Sequence, residues 1–143
     1  MKNTFTYVNQ HFSLMNLLNF SKRYTHSCIL LSNKYSDKYS QYQTIVCLGS
    51  RQVIESNSNS FAKLKNFQTE NKDWLFGFLS YDLKNEVEQL QSNNIDNFSL
   101  PNLFFFIPQT ILFISDKDLI VETFFPKEEI DKMKRRYKKN ERV

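Results

Sequence analysis

The stretch from Trp74 to Leu90 constrains this chain more than any other. Trp74-Leu75-Phe76-Gly77-Phe78-Leu79-Ser80-Tyr81 is an aromatic-rich apolar run that changes abruptly at Asp82 into a helical pattern. An unbroken run of this kind, without polar alternation, predicts a strand buried on both faces. Gly77 within it permits a bulge or the close approach of another backbone. Asp82 is the expected N-cap, its carboxylate accepting from free N–H groups of the first turn. Leu83, Val87 and Leu90 then recur at helical spacing, and Lys84 stands four residues from Glu88, in position to pair with it.

Upstream of that unit, Thr4 to Val8 alternates Phe5 and Tyr7 with polar residues, as a short strand or a structured lead-in. Asn9 to Arg23 reads as a helix with Phe12, Met15 and Leu18, joined in part by Leu14 and Leu17, on one broad inner face. Ser27 to Ser32 is an apolar strand. Thr44–Leu48 and Gln52–Glu55 read as a hairpin turned at Gly49-Ser50. Asn57 to Ser60 supplies an N-cap for a helix carrying Phe61, Leu64 and Phe67 through about Lys72.

Downstream, Ser92 to Leu100 is a turn-rich connection. Leu103–Ile107 is a strand stopped by Pro108, and Thr110–Ile114 with Leu119–Phe125 forms a hairpin around Asp116-Lys117-Asp118. The expected fold is α+β: mostly antiparallel sheets in a sandwich-like arrangement with three to four helices.

At 143 residues the chain has the length of one domain, and its fourteen Phe promise a well-filled interior. The net charge of +4 is local: from Lys127 onward there are eight Lys/Arg against four Asp/Glu, leaving eleven of each elsewhere. A phosphate-binding surface concentrates its excess on a folded face, so no nucleic-acid partner is expected. No run approaches the roughly 18 apolar residues of a membrane span, and the N-terminus lacks a signal-type apolar core. The cytoplasm is the expected compartment, with Cys28 and Cys47 as thiols.

Catalytic constellations do not emerge. Two glycines, Gly49 and Gly77, make no phosphate loop. His11 and His26 lack metal-ligand spacing, and Cys28 beside His26 reads as a small buried hydrophobe rather than a nucleophile. Glu86 and Glu88 fall on different helix faces, which excludes a paired-carboxylate role. Catalytic residues and a metal site are therefore assigned to none of the chain.

Ser80-Tyr81-Asp82-Leu83-Lys84-Asn85-Glu86 resembles a segment in the N-terminal domain of component I of the chorismate-utilising synthases, the aminodeoxychorismate (p-aminobenzoate) and anthranilate synthases. Ser27 to Ser32, Tyr39-Ser40-Gln41-Tyr42, Ser92 to Asp96 and Leu100 to Leu103 flank it in the matching order. The resemblance implies a domain over 1–126 and a basic helical linker over 127–143 leading toward an absent C-terminal chorismate-binding domain. That domain would carry the Mg2+-dependent chemistry, and a glutamine amidotransferase subunit would supply ammonia. This chain alone would then be inactive. The resemblance also implies a tryptophan-type pocket formed by Leu30, Leu31, Ser32, Tyr39, Ser40, Tyr42, Ser80, Tyr81 and Asp82. Here Leu30-Leu31-Ser32 lacks the Glu of the anthranilate-branch motif, which favours p-aminobenzoate synthesis in folate production. The alternatives are a tryptophan-regulated anthranilate branch and a free-standing interaction module. An all-helical or doubly wound fold, or Phe78 and Leu79 facing solvent, would overturn the reading.

Overall fold

The computed structural model describes residues 1–9, 11–35, 38–88 and 99–140. The described elements are β1 (Asn3–Val8), α1 (Leu14–Ser21), β2 (Ser27–Leu31), β3 (Thr44–Ser56), α2 (Ser60–Asn71), β4 (Phe76–Leu79), α3 (Lys84–Glu88), β5 (Leu103–Ile114), β6 (Asp118–Thr123) and α4 (Lys127–Asn140). The fold is α+β. Its strands form one six-stranded sheet ordered β1-β6-β5-β3-β2, with β4 on β5. The chain divides into two compact units, Met1–Ser50 with Pro108–Val143, and Arg51–Ile107.

The first unit is built on β1, β6 and the paired parts of β2, β3 and β5. β1 alternates as expected, with Phe5 and Tyr7 turned toward the core and Thr4 and Thr6 exposed. It pairs antiparallel with β6, Phe5 opposite Val121. The buried cluster unites Leu17, Phe20, Val46, Leu48, Leu112, Ile114, Leu119, Val121, Ile130 and Tyr137. Ile130 and Tyr137 belong to α4, so the narrow apolar stripe expected there is a packed face. The helix is part of this unit's core rather than only a link leading out of it.

α1 is shorter than Asn9 to Arg23 because Ser13 captures the start, its hydroxyl accepting from the Asn16 N–H at 3.3 Å. Asn9 remains outside, its N–H donating to the Lys117 carbonyl at 2.8 Å. The inner face also differs from expectation. Leu17, Phe20 and Ser21 are buried, whereas Met15 and Leu18 are exposed. Leu17, Phe20 and Ser21 stand at i, i+3 and i+4 and so share one helix face.

The expected hairpin at Gly49-Ser50 is instead one 13-residue strand, β3. Gly49 takes φ +68°, yet its N–H donates to the His26 carbonyl at 2.9 Å and so extends the β2 ladder. A single positive φ bends the strand, whereas a two-residue hairpin turn of the type I′ kind needs two. Pro108 likewise fails to stop β5. The β4 ladder ends at Phe106 and the β6 ladder starts at Thr110, so Pro108 falls in the gap between these two ladders. The hairpin between β5 and β6 stands as expected, with Ser115 N–H donating to the Asp118 carbonyl.

In the second unit, β4 pairs antiparallel with the first residues of β5, from Phe76 opposite Phe106 to Leu79 opposite Leu103. Phe76 is buried, but Phe78 and Leu79 are 39% and 48% exposed. The expectation of burial on both faces is thus overturned. Among the described residues β4 pairs with β5 alone, and a strand with one neighbour leaves its outer side uncovered. Asp82 is not a helix cap either: Tyr81–Leu83 forms a 3-10 turn after Ser80, and α3 follows directly. Lys84 lies over the Tyr81 ring at 3.9 Å. Leu90 and Ser92 to Asp96 lie outside the described residues.

Candidate functional site

The first unit carries an open cleft of about 870 Å3. One wall comes from the end of β2 and its connection to β3, and the other from the β5–β6 turn, Ser115 to Asp118. Leu31, Ser32, Ser40 and Tyr42 all line it. Both ends of the β2–β3 connection therefore face one space.

Local hydrogen bonds set these walls. The Ser32 N–H donates to the Gln43 carbonyl at 2.9 Å, closing the β2–β3 connection at its base. Gln43 N–H donates to the Ile114 carbonyl, and the Gln43 side chain donates to Asp116 at 2.6 Å. Tyr42 packs its ring against Phe113, centroids 4.9 Å apart. The Ser40 hydroxyl donates to the Tyr42 carbonyl. Asn33 and Lys34 take successive positive φ values of 51° and 63°, which turns the chain at the rim.

The remaining expected residues stand elsewhere. Leu30, 49% exposed, precedes the lining residue Leu31 on the strand. Tyr39 is exposed, with Lys38 above its ring at 4.9 Å. Ser80, Tyr81 and Asp82 belong to the second unit and do not line the cleft. Tyr81 is exposed, while the Ser80 hydroxyl is buried with no hydrogen-bond partner among the described residues.

The cleft also holds residues that carried no functional signal in the sequence. Lys34, Asp116, Lys117 and Asp118 place both signs of charge around its rim. Asp116-Lys117-Asp118 reads locally as turn chemistry, and only long-range strand pairing brings it opposite Ser32 and Tyr42. Such a lining of amides, hydroxyls and mixed charges suits hydrogen bonding to a small polar or zwitterionic ligand.

A second polar cluster is structural. Glu86 accepts from the Ser60 N–H at 2.8 Å, the Ser60 hydroxyl at 2.7 Å and the Asn102 side-chain amide at 3.1 Å. Partial burial pushes its carboxyl up, but the Ser60 and Asn102 hydrogen bonds and the Lys63 charge outweigh this and hold it below the ordinary value. Asn59, the residue before α2, makes no side-chain cap bond, so Glu86 serves the helix start from a distance of 26 residues in sequence.

Cys28 and Cys47 face each other in register on β2 and β3 and are free thiols. Burial pushes both thiols up, which disfavours thiolate chemistry. Among the described residues no group of three or more His, Cys, Asp or Glu gathers as for a metal, and no helix is long and apolar enough to cross a membrane.

Compared with known proteins, the chain matches no family model, and no curated protein or solved structure is significantly similar to it.

Proposed function

We propose that this chain is a non-catalytic N-terminal region of an aminodeoxychorismate synthase component I acting in the cytoplasm. In this reading it supports conversion of chorismate to 4-amino-4-deoxychorismate by a C-terminal chorismate-binding domain. That domain would use Mg2+ and ammonia from a glutamine amidotransferase subunit. The observation that carries the reading is the cleft: Leu31 and Ser32 share it with Ser40 and Tyr42, two segments that the resemblance pairs as pocket walls.

Phe78 and Leu79 are exposed, which overturns this role for the chain taken by itself. The role stands only where another polypeptide region covers them. Incubating the chain with chorismate, Mg2+ and ammonia, with chromatographic detection of aminated product, tests the non-catalytic role. No product is expected, and product formation would refute it. Joining the chain to a chorismate-binding domain should raise that domain's turnover and stability; failure of both would remove the proposal.

The tryptophan-regulated anthranilate branch shares the same cleft. Calorimetry decides between them: no tryptophan binding is expected, and saturable binding abolished by Ser40→Trp would favour the anthranilate branch.

A further inference from the structure

We propose that two copies of this chain associate edge to edge through β4, in an antiparallel pair related by a two-fold axis at Gly77. The backbone makes the first part of the case. The Ser80 N–H donates to the Asn102 carbonyl at 2.8 Å, so Ser80 is turned toward β5. Polar groups alternate along an antiparallel strand, which turns Phe76 and Phe78 toward β5 and Gly77 and Leu79 away from it. Among the described residues no strand other than β5 pairs with β4. Among the described residues the N–H and C=O groups of Gly77 and Leu79 therefore form an open edge.

Exposed edges in folded chains are normally blunted by Lys, Pro, inward charge or a covering element. From Trp74 to Tyr81 there is no charge and no proline. A two-fold axis at Gly77 places it opposite its own copy, Phe78 opposite Phe76 of the second copy, and Leu79 opposite Leu75. Each of those pairs is apolar, so no charge is buried. Gly77 is itself exposed, which leaves its outer side accessible to another backbone.

The side chains favour the same partner. On one face of the ribbon Phe78 stacks with Phe104 at 5.8 Å, Phe104 meets Phe106 at 6.4 Å, and Trp74 stacks on Phe76 at 6.2 Å. This aromatic ladder ends at Phe78, 39% exposed. A second β4 continues it, with a Phe–Phe cross-strand pair on each side of the axis. The surface is self-complementary, as an isologous dimer requires. It is small beside the roughly 1,200 Å2 of a stable interface, so association is expected in the micromolar range and in fast exchange.

The proposal does not depend on the chorismate reading, and its test uses no ligand. Sedimentation velocity of the full chain from about 2 to about 200 µM should show a reversible monomer–dimer equilibrium. Leu79→Lys, at an exposed position, should weaken it at least tenfold while circular dichroism stays that of the parent. Hydrogen exchange gives an independent reading on the unaltered chain. Gly77 and Leu79 amides should gain protection with concentration, while Phe76 and Phe78 stay protected throughout. A monomer at the highest concentration, a dimer unaffected by Leu79→Lys, or concentration-independent exchange at Gly77 and Leu79 would overturn the proposal.

Discussion

Replacing Gly77 by alanine puts one methyl group where the structure has only backbone. A Cβ built on Gly77 collides with the Phe104 carbonyl oxygen and lies 2.6 Å from the Phe105 Cα and 2.8 Å from the Phe104 carbonyl carbon. Ordinary contact needs about 3.5 Å or more, and no flexible side chain is available to move aside. β4 must therefore retreat from β5, lengthening the ladder bonds around Phe78 and Phe104. Overpacking of this kind costs about 1–3 kcal/mol, and the rigidity of the obstacle argues for the upper part. Alanine's lower unfolded-state entropy offsets roughly 0.5–1 kcal/mol of that. The net loss should be about 2 kcal/mol, a fall in Tm of roughly 8 °C for a chain of this size. Trp74, the only tryptophan, stacks on Phe76 beside the site, so its fluorescence during urea unfolding at low micromolar concentration reads the second unit directly. Gly49→Ala is the comparison. There φ is +68°, but the obstacle is the Gln109 side chain, which can swing away, so a loss of about 1 kcal/mol is expected. A Gly77→Ala chain as stable as the parent, with β4 amides still protected, would show that backbone approach does not limit this position.

Glu86→Ala removes the carboxylate that serves the α2 start and should cost about 1 kcal/mol at pH 7, measured by urea denaturation. Because the folded carboxyl titrates below its unfolded value, its contribution is present above the ordinary Glu range and is lost as pH falls through the folded value. Parent and variant should thus converge below about pH 4, and a gap that is constant from pH 7 to 3 would contradict the assignment. Ile130→Ala should destabilise by about 3 kcal/mol, because Ile130 is 1% exposed in the first unit's core. If α4 were only a solvated connector, thermal unfolding would not register that change.

Much of the fold was legible because its signals are local. Phe5 and Tyr7 alternate with polar residues and form β1. The hairpin about Asp116-Lys117-Asp118 follows from two apolar runs around a polar turn. The failures share a different cause: each depended on what lies across the sheet. Gly49-Ser50 has turn composition, but the continuing bond to His26 makes it a bend inside β3. Pro108 has breaker composition, but it falls in the gap between the β4 and β6 ladders on β5. The Trp74–Tyr81 run is apolar throughout, yet apolar composition does not reveal how many neighbours a strand has. Part of the expected site was legible for a similar reason. Leu31, Ser32, Ser40 and Tyr42 flank one connection, whereas the opposing Asp116 and Lys117 arrive only through tertiary pairing.

Helix α4 shows the same dependence on tertiary neighbours. Ile130, Met133 and Tyr137 make a stripe one residue wide per turn, which in isolation predicts a weakly held helix. In the fold the stripe meets aromatic partners: Tyr137 lies 5.1 Å from Phe12 and 5.8 Å from Phe20, both edge-on. Lys134, which adds to the basic count in sequence, places its charge over the Tyr7 ring at 3.7 Å, and Lys132 pairs with Glu129. A narrow stripe suffices when each of its residues is large and meets a ring, so stripe width is a poor measure of docking where aromatics dominate the core. Part of the basic excess after Lys127 is thereby engaged within the first unit itself, so net charge overstates the positive surface an anionic partner would meet.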